Sequence, residues 1–194
     1  MIKSIAVFCG SSEGYDKVYM KAAREAGATL ATRKIELIYG GSKAGLMGAI
    51  ADGVLENGGI VTGVIPGFLK TVEIVHTGIT ELVTVGNMHE RKLKMHELSD
   101  AVITMPGGWG TMEEFFEMLT WGQLGLHRKP IGLLNVNGYY DSLAALNKSM
   151  VTEGFLKENT ANMLLISNNI NDLLYQMEHY TAPEIPEWLT RQTT

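Results

Sequence analysis

Short, unbroken apolar runs alternating with longer helical stretches constrain this chain more than any other feature of its sequence. The first run, Ile5-Ala6-Val7-Phe8, ends in Cys9-Gly10-Ser11-Ser12 and gives way to a helical pattern over 16–33. Ile35–Tyr39 ends in Gly40-Gly41-Ser42 and precedes a helix over 45–56, closed by Asn57-Gly58-Gly59. Ile60–Ile65 ends in Pro66-Gly67, and a less regular stretch over 66–85 follows, in which Leu82–Val85 reads as a short strand. A helix over 87–98 then leads to Ala101–Met105, which ends in Pro106-Gly107-Gly108. A helix over 111–126, a strand over Ile131–Val136, a helix over 139–153, a short strand over 163–166 and a helix over 169–180 complete the pattern. Strands that are apolar throughout need cover on both faces, and crossover helices supply it. The expected fold is therefore α/β: a single-domain, Rossmann-like, doubly wound parallel sheet with helices on both faces. No repeat or linker interrupts it, so one domain is expected over 1–182, with a C-terminal tail over 183–194.

Composition removes several classes of function. With 194 residues, 45% of them apolar, the chain is long and apolar enough to build a core and is not disordered. A net charge of −5 argues against nonspecific nucleic-acid binding, which needs a basic surface. Cys9 is the only cysteine, which fits a reducing compartment. The apolar run near the N-terminus is too short for a signal peptide or a membrane span. A cytoplasmic protein is expected, with no nucleic-acid or membrane partner.

In a doubly wound sheet the ligand lies beyond the carboxyl ends of the strands. Four such ends here carry Gly-rich or Pro-Gly turns. Neither the dinucleotide fingerprint G-x-G-x-x-G nor the Walker pattern G-x-x-x-x-G-K-[ST] is present, which argues against a dehydrogenase and a P-loop NTPase. Two longer turns each follow a strand and open a helix: Gly40-Gly41-Ser42-Lys43-Ala44-Gly45-Leu46-Met47-Gly48 and Pro106-Gly107-Gly108-Trp109-Gly110-Thr111-Met112-Glu113-Glu114. Backbone N–H groups at a helix N-terminus attract anions, and glycine lets a phosphate come close. Both turns are candidate phosphate sites.

Arg91 sits three residues after Met88 and four before Met95, so it falls on the apolar stripe of its helix and faces inward. A buried guanidinium needs an anionic partner, either a ligand or a carboxylate. Glu114 is the candidate carboxylate, with Glu113 as a second. Thr111-x-x-Glu114 also reads as a capping box, with Thr111 as N-cap and Glu114 at N3. The five His show no metal-binding spacing, and no metal or cofactor is expected. Cys9 and the Met-rich helix faces read as packing.

Taken together, Met88-His89-Glu90-Arg91-Lys92, Ser99-Asp100-Ala101 and Pro106-Gly107-Gly108-Trp109-Gly110-Thr111-Met112-Glu113-Glu114 resemble the Lonely Guy (LOG) family of cytokinin riboside 5′-monophosphate phosphoribohydrolases. The family's P-G-G-x-G-T-x-x-E motif is matched at every fixed position, and Thr120-Trp121-Gly122-Gln123-Leu124-Gly125 and Lys129–Asn135 match as well. Ser42-Lys43-Ala44 departs from the usual Gly-Ser-x. The resemblance implies hydrolysis of a nucleoside 5′-monophosphate to free base and ribose 5-phosphate, releasing cytokinin-type bases. It implies Arg91 and Glu114 as the catalytic pair. The chemistry expected of them has Arg91 pairing with Glu114 or with phosphate, and orienting Glu114 and keeping it ionised. The implied substrate-binding positions are Glu73, Arg91, Lys92, Gly107, Gly108, Trp109, Gly110, Thr111, Met112, Glu113, Glu114 and Thr120. It also implies a homodimer with its site near the subunit interface. Two alternatives stay open: a general adenosine monophosphate nucleosidase, and a nonenzymatic carrier of a nucleotide or molybdenum cofactor. The lysine decarboxylase label once given to such sequences finds no pyridoxal-phosphate lysine site to support it.

Overall fold

Each apolar run becomes a strand, because the central ones are buried along their whole length. The computed structural model describes residues 1–71 and 75–183. Its strands are β1 (Ser4–Phe8), β2 (Glu36–Tyr39), β3 (Val61–Pro66), β4 (Glu81–Val85), β5 (Ala101–Thr104), β6 (Ile131–Leu134) and β7 (Leu164–Ser167). They form one sheet in the order β4-β3-β2-β1-β5-β6-β7, parallel at every pairing. Successive side chains of a strand point to opposite faces. Ile5 and Val7 accordingly join one core layer and Ala6 and Phe8 the other.

The helices are α1 (Lys17–Thr32), α2 (Gly45–Glu56), α3 (Met88–Leu98), α4 (Trp109–Gln123), α5 (Asp141–Thr152), α6 (Glu158–Ala161) and α7 (Ile170–Glu178). α1, α2 and α7 pack on one face and α3 and α4 on the other. Backbone touches backbone where α1 crosses α2: a Cβ on Gly27 would stand 2.2 Å from the Ile50 carbonyl oxygen, and one on Gly53 2.3 Å from that of Arg24. The short α6 and the 3-10 turns Gly67–Thr71 and Val136–Gly138 were not foreseen from periodicity. Among the described residues no helix is long and apolar enough to cross a membrane.

Helix starts differ in how they are capped. Asp16, Asn87 and Asn169 cap α1, α3 and α7 with their side chains. At α3 the cap is reciprocal: Asn87 Oδ1 accepts from Glu90 N at 2.9 Å while Glu90 Oε2 accepts from Gly86 N at 2.7 Å. α2 and α4, the two helices that follow the long Gly turns, begin at Ala44 and Gly108 with no side-chain cap. The capping box expected at Thr111 and Glu114 is therefore absent. The Gly107-Gly108 bend brings the chain into helix at Trp109, which makes Thr111 the third helical residue and puts Glu114 a turn beyond the N-terminus.

Candidate active site

The winding of the sheet reverses at β1, which has β2 on one side and β5 on the other. A crevice opens beyond the carboxyl ends of strands at such a point. The chain leaving β1 and the chain leaving β5 meet there. Met105 N donates to Phe8 O at 2.9 Å, and Gly10 N donates to Pro106 O at 3.0 Å.

In the turn from β5 to α4, four consecutive carbonyls have partners. Met105 O accepts from Tyr140 OH at 2.7 Å and Gly107 O from Tyr139 OH at 2.7 Å. Pro106 O is held by Gly10, and Gly108 O accepts from Met112 N at 3.1 Å. The N–H groups of Gly107, Gly108, Trp109, Gly110 and Thr111, by contrast, meet no acceptor among the described residues. Five successive donors at the positive end of a 15-residue helix make an anion cradle. A Cβ on Gly108 or Gly110 would meet nothing within 4 Å, so the space in front of this backbone is open. A cavity of about 330 Å³ adjoins it, lined by Gly10–Gly14, Tyr19, Leu46, Pro106–Gly108 and Tyr139.

The other Gly turn is not a second anion site of this kind. Gly45, at φ +54°, packs so tightly that a Cβ there would lie 2.4 Å from the Ser11 carbonyl carbon. Leu46 N, in the first turn of α2, donates to Gly10 O at 3.0 Å. The start of α2 is thus plugged by the Gly10–Ser12 loop and acts as its support.

Arg91 is buried, as its place on the apolar stripe of α3 predicts. Its Nη2 donates to Gly40 O at 3.2 Å, its Nη1 lies 3.8 Å from Met88 Sδ, and its Nε is buried without a partner. Gly40 makes this placement possible, since a Cβ there would lie 2.0 Å from Nη2. Of the two partners expected for Arg91, a carboxylate or a ligand anion, Glu114 is not within ion-pair distance. Glu114 is also not held in the ordinary ionised range: burial raises its pKa to about 7, even though the Arg91 charge pulls the other way. The neighbouring carboxylates Glu113 and Glu117 reinforce the rise, and Lys92 opposes it. Glu114 is therefore poised between its two protonation states near neutral pH.

Comparison with known proteins gives these residues a context. The family model described as "Possible lysine decarboxylase" matches residues 47–177. A relative from Oryza sativa subsp. japonica, named "Probable cytokinin riboside 5'-monophosphate phosphoribohydrolase LOGL1", is 50% identical over 177 residues, 91% of this chain and 79% of its own length. Another from Arabidopsis thaliana, a cytokinin riboside 5′-monophosphate phosphoribohydrolase, is 45% identical over 95% of this chain and 85% of its own. The chain belongs to the LOG family. A molybdenum cofactor binding protein from Rippkaea orientalis superposes with a TM-score of 0.69 over 92% of this chain and 97% of its own, at 20% identity, a likeness that shows the fold alone.

Not every position that the LOG resemblance marks is gathered at the crevice. Lys92 is buried, with its Nζ 2.5 Å from Glu113 and 3.0 Å from Glu117, so it ties α3 to α4. The two ion pairs outweigh its burial and raise its pKa. Glu113 makes that bond from the solvent side, with its side chain more than half exposed. Met112 packs against the core, while Trp109 stands almost fully exposed at the start of α4. Thr120 donates to Phe116 O and lines a separate groove with Phe116, Leu119 and Leu164. At ~1.5 Å per residue it lies about 13 Å further along α4 than Thr111. Glu73 lies outside the described residues. Cys9 is buried beside Glu114, and burial followed by that charge pushes its thiol pKa far up, which keeps it unreactive. No group of three metal-ligating side chains is present among the described residues.

Sequence reasoning missed Tyr19, Tyr139 and Tyr140. The last two follow β6, whose carboxyl end opens on the same rim. That position was the available signal.

Proposed function

We propose that this LOG-family chain hydrolyses the N-glycosidic bond of prenylated adenosine 5′-monophosphates, releasing the cytokinin-type base and ribose 5-phosphate. The observation that carries the reading is the row of five unpaired N–H groups, with open space at Gly108 and Gly110 and a carboxyl group poised near neutrality one helical turn away. The names of the curated relatives support the choice of substrate.

In this reading the N–H row and the Thr111 hydroxyl hold the 5′-phosphate, and that remote binding positions the sugar. The C1′–N9 bond breaks with its electron pair leaving on the base, so positive charge gathers on the ribose ring. Ionised Glu114 stabilises that charge and takes a proton from the attacking water, whose oxygen bonds to C1′. The departing base takes up one proton. Arg91 keeps part of the Glu114 population ionised, and its unpaired Nε is a donor available to the carboxylate or the substrate.

A homodimer belongs to the same proposal. The apolar groove lined by Phe116, Leu119, Met150, Leu156 and Leu164 is surface that a second copy would cover, which would bring Thr120 to the interface. Sedimentation velocity at micromolar concentration tests it, and a monomer would refute it.

The deciding experiment incubates the purified chain with isopentenyl-adenosine monophosphate, adenosine monophosphate and plain adenosine, and follows free base by chromatography. Base is expected from the monophosphates only, faster from the prenylated one, and is lost in Glu114→Gln. Faster release from plain adenosine monophosphate would make the protein a salvage nucleosidase. Binding without release would make it a carrier.

A further inference from the structure

The phosphate-binding turn is held by a residue outside the family motif. We propose that Tyr139 is a positioning residue for the anion cradle, which rests on the reading of that turn as the site of the 5′-phosphate. Tyr139 reaches the turn from the loop after β6, where its hydroxyl donates to Gly107 O at 2.7 Å. A trans peptide holds its C=O and the following N–H in one plane, pointing in opposite directions. Drawing the Gly107 carbonyl towards Tyr139 therefore turns the Gly108 N–H away from it. Without that bond the neighbouring Pro106 and Gly108 carbonyls are still held, but nothing fixes the Gly107 carbonyl itself. Gly107 packs against Thr111 and Gly10, whereas a Cβ at Gly108 would touch nothing, so the room to turn lies on the Gly108 side of the peptide.

The loop that carries Tyr139 is built to place it. Asn137 and Gly138 both take left-handed backbone, at φ 53° and 71°, and turn the chain sharply out of β6. Asn135 then pins the far side: its Oδ1 accepts from Tyr140 N at 2.7 Å and its Nδ2 donates to Asp141 Oδ1 at 2.7 Å. Tyr140, buried, fixes Met105 O, while Tyr139, half-exposed, fixes Gly107 O. The Tyr139 ring packs edge-on against Tyr140, centroids 4.9 Å apart, and against Tyr19 at 6.0 Å. It also forms part of the wall of the 330 Å³ cavity. Consecutive tyrosines thus lock alternate carbonyls of one turn, and the half-exposed one governs the peptide next to the anion.

Tyr139→Phe removes the hydroxyl and keeps the ring contacts. The test compares the full-length variant with the unaltered chain by calorimetric titration with ribose 5-phosphate and with inorganic phosphate, and by steady-state hydrolysis. Loss of one neutral hydrogen bond predicts a Kd for ribose 5-phosphate about 3- to 10-fold weaker. The KM for the monophosphate should rise by a similar factor, with kcat altered less than about twofold. Affinity for the unphosphorylated nucleoside should be unchanged, which a general folding defect would not permit. An unchanged Kd for ribose 5-phosphate, or equal losses for nucleoside and monophosphate, would overturn the assignment. If the unaltered chain binds ribose 5-phosphate but releases no base, the hydrolase reading fails while the Tyr139 comparison still decides. If it binds neither phosphate nor ribose 5-phosphate, the turn is not an anion site and the assignment falls with it.

Discussion

Glu114→Gln should make the protein more stable at alkaline pH and leave its stability little changed near pH 4. Burial raises the Glu114 pKa from its ordinary 4.5 to about 7 in the folded chain. Between those values the folded state binds more protons than the unfolded state, so stability falls as pH rises. The cost is absent below about pH 4.5 and complete above about pH 7. At roughly 1.36 kcal/mol for each step of one in pKa, the limit is about 3 kcal/mol at pH 8. Because part of the side chain still meets water, that figure is an upper bound. Glutamine keeps the shape and carries no charge, so the cost should vanish. Urea unfolding of both proteins from pH 4 to pH 8.5 measures it: the advantage of the variant should be near zero at pH 4, under about 1 kcal/mol at pH 5, and about 2–3 kcal/mol at pH 8. An advantage independent of pH, or one that shrinks as pH rises, would show that Glu114 is not held neutral by burial. The same property gives hydrolysis a rising limb with an apparent pKa near 7, since ionised Glu114 is the working form.

Three further substitutions probe other parts of the site. Gly110→Ala places a methyl group in open space inside the first turn of α4. The thermal midpoint should hold or rise, by up to about 1 kcal/mol in stability, while kcat/KM for the monophosphate falls at least about 10-fold; a wild-type KM would count against phosphate approach at this backbone. Gly40→Ala would put a Cβ 2.0 Å from Arg91 Nη2, so the guanidinium must leave its pocket. Hydrolysis should drop by at least about 10-fold with the circular dichroism spectrum intact. Lys92→Met leaves Glu113 and Glu117 without their shared cation. It should cost about 1–3 kcal/mol in urea unfolding and move the rising limb of the pH–rate profile to higher pH, because Lys92 also lowers the Glu114 pKa.

The strands and long helices were legible because apolar runs and 3.6-residue periodicity report burial directly. Arg91 was legible for the same reason: its spacing to Met88 and Met95 places it on the inward face. Lys92, one residue on, gave no such signal, because it is buried by two carboxylates on a different helix. Thr111-x-x-Glu114 fits a capping box letter for letter. The preceding glycines start the helix earlier, and a motif read in isolation does not know where its helix begins. The protonation state of Glu114 depends on burial and on four charged neighbours drawn from two helices, and no local pattern encodes that sum. The Gly turn before α2 looked like the turn before α4, yet only the contact of Gly45 with the Ser11–Ser12 backbone shows that it is filled by protein. Tyr139 and Tyr140 went unread because they belong to no glycine cluster, although the strand they follow ends on the same rim.

The bond from Gly10 N to Pro106 O joins segments that the ribosome makes nearly half a chain apart. Strands β1 to β4 can wind together from the first half alone, but the crevice has only one wall until β5 docks beside β1. Joining distant segments is slow, because the loop must close before any contact rewards it. An anion seated between them would act as a clasp across that seam. At a hundred times its Kd a ligand adds about 2.7 kcal/mol to the folded state, and here the gain would fall on the joint between early and late halves of the polypeptide. Substrate concentration in the cell would then set how often that seam opens as well as how fast the enzyme turns over.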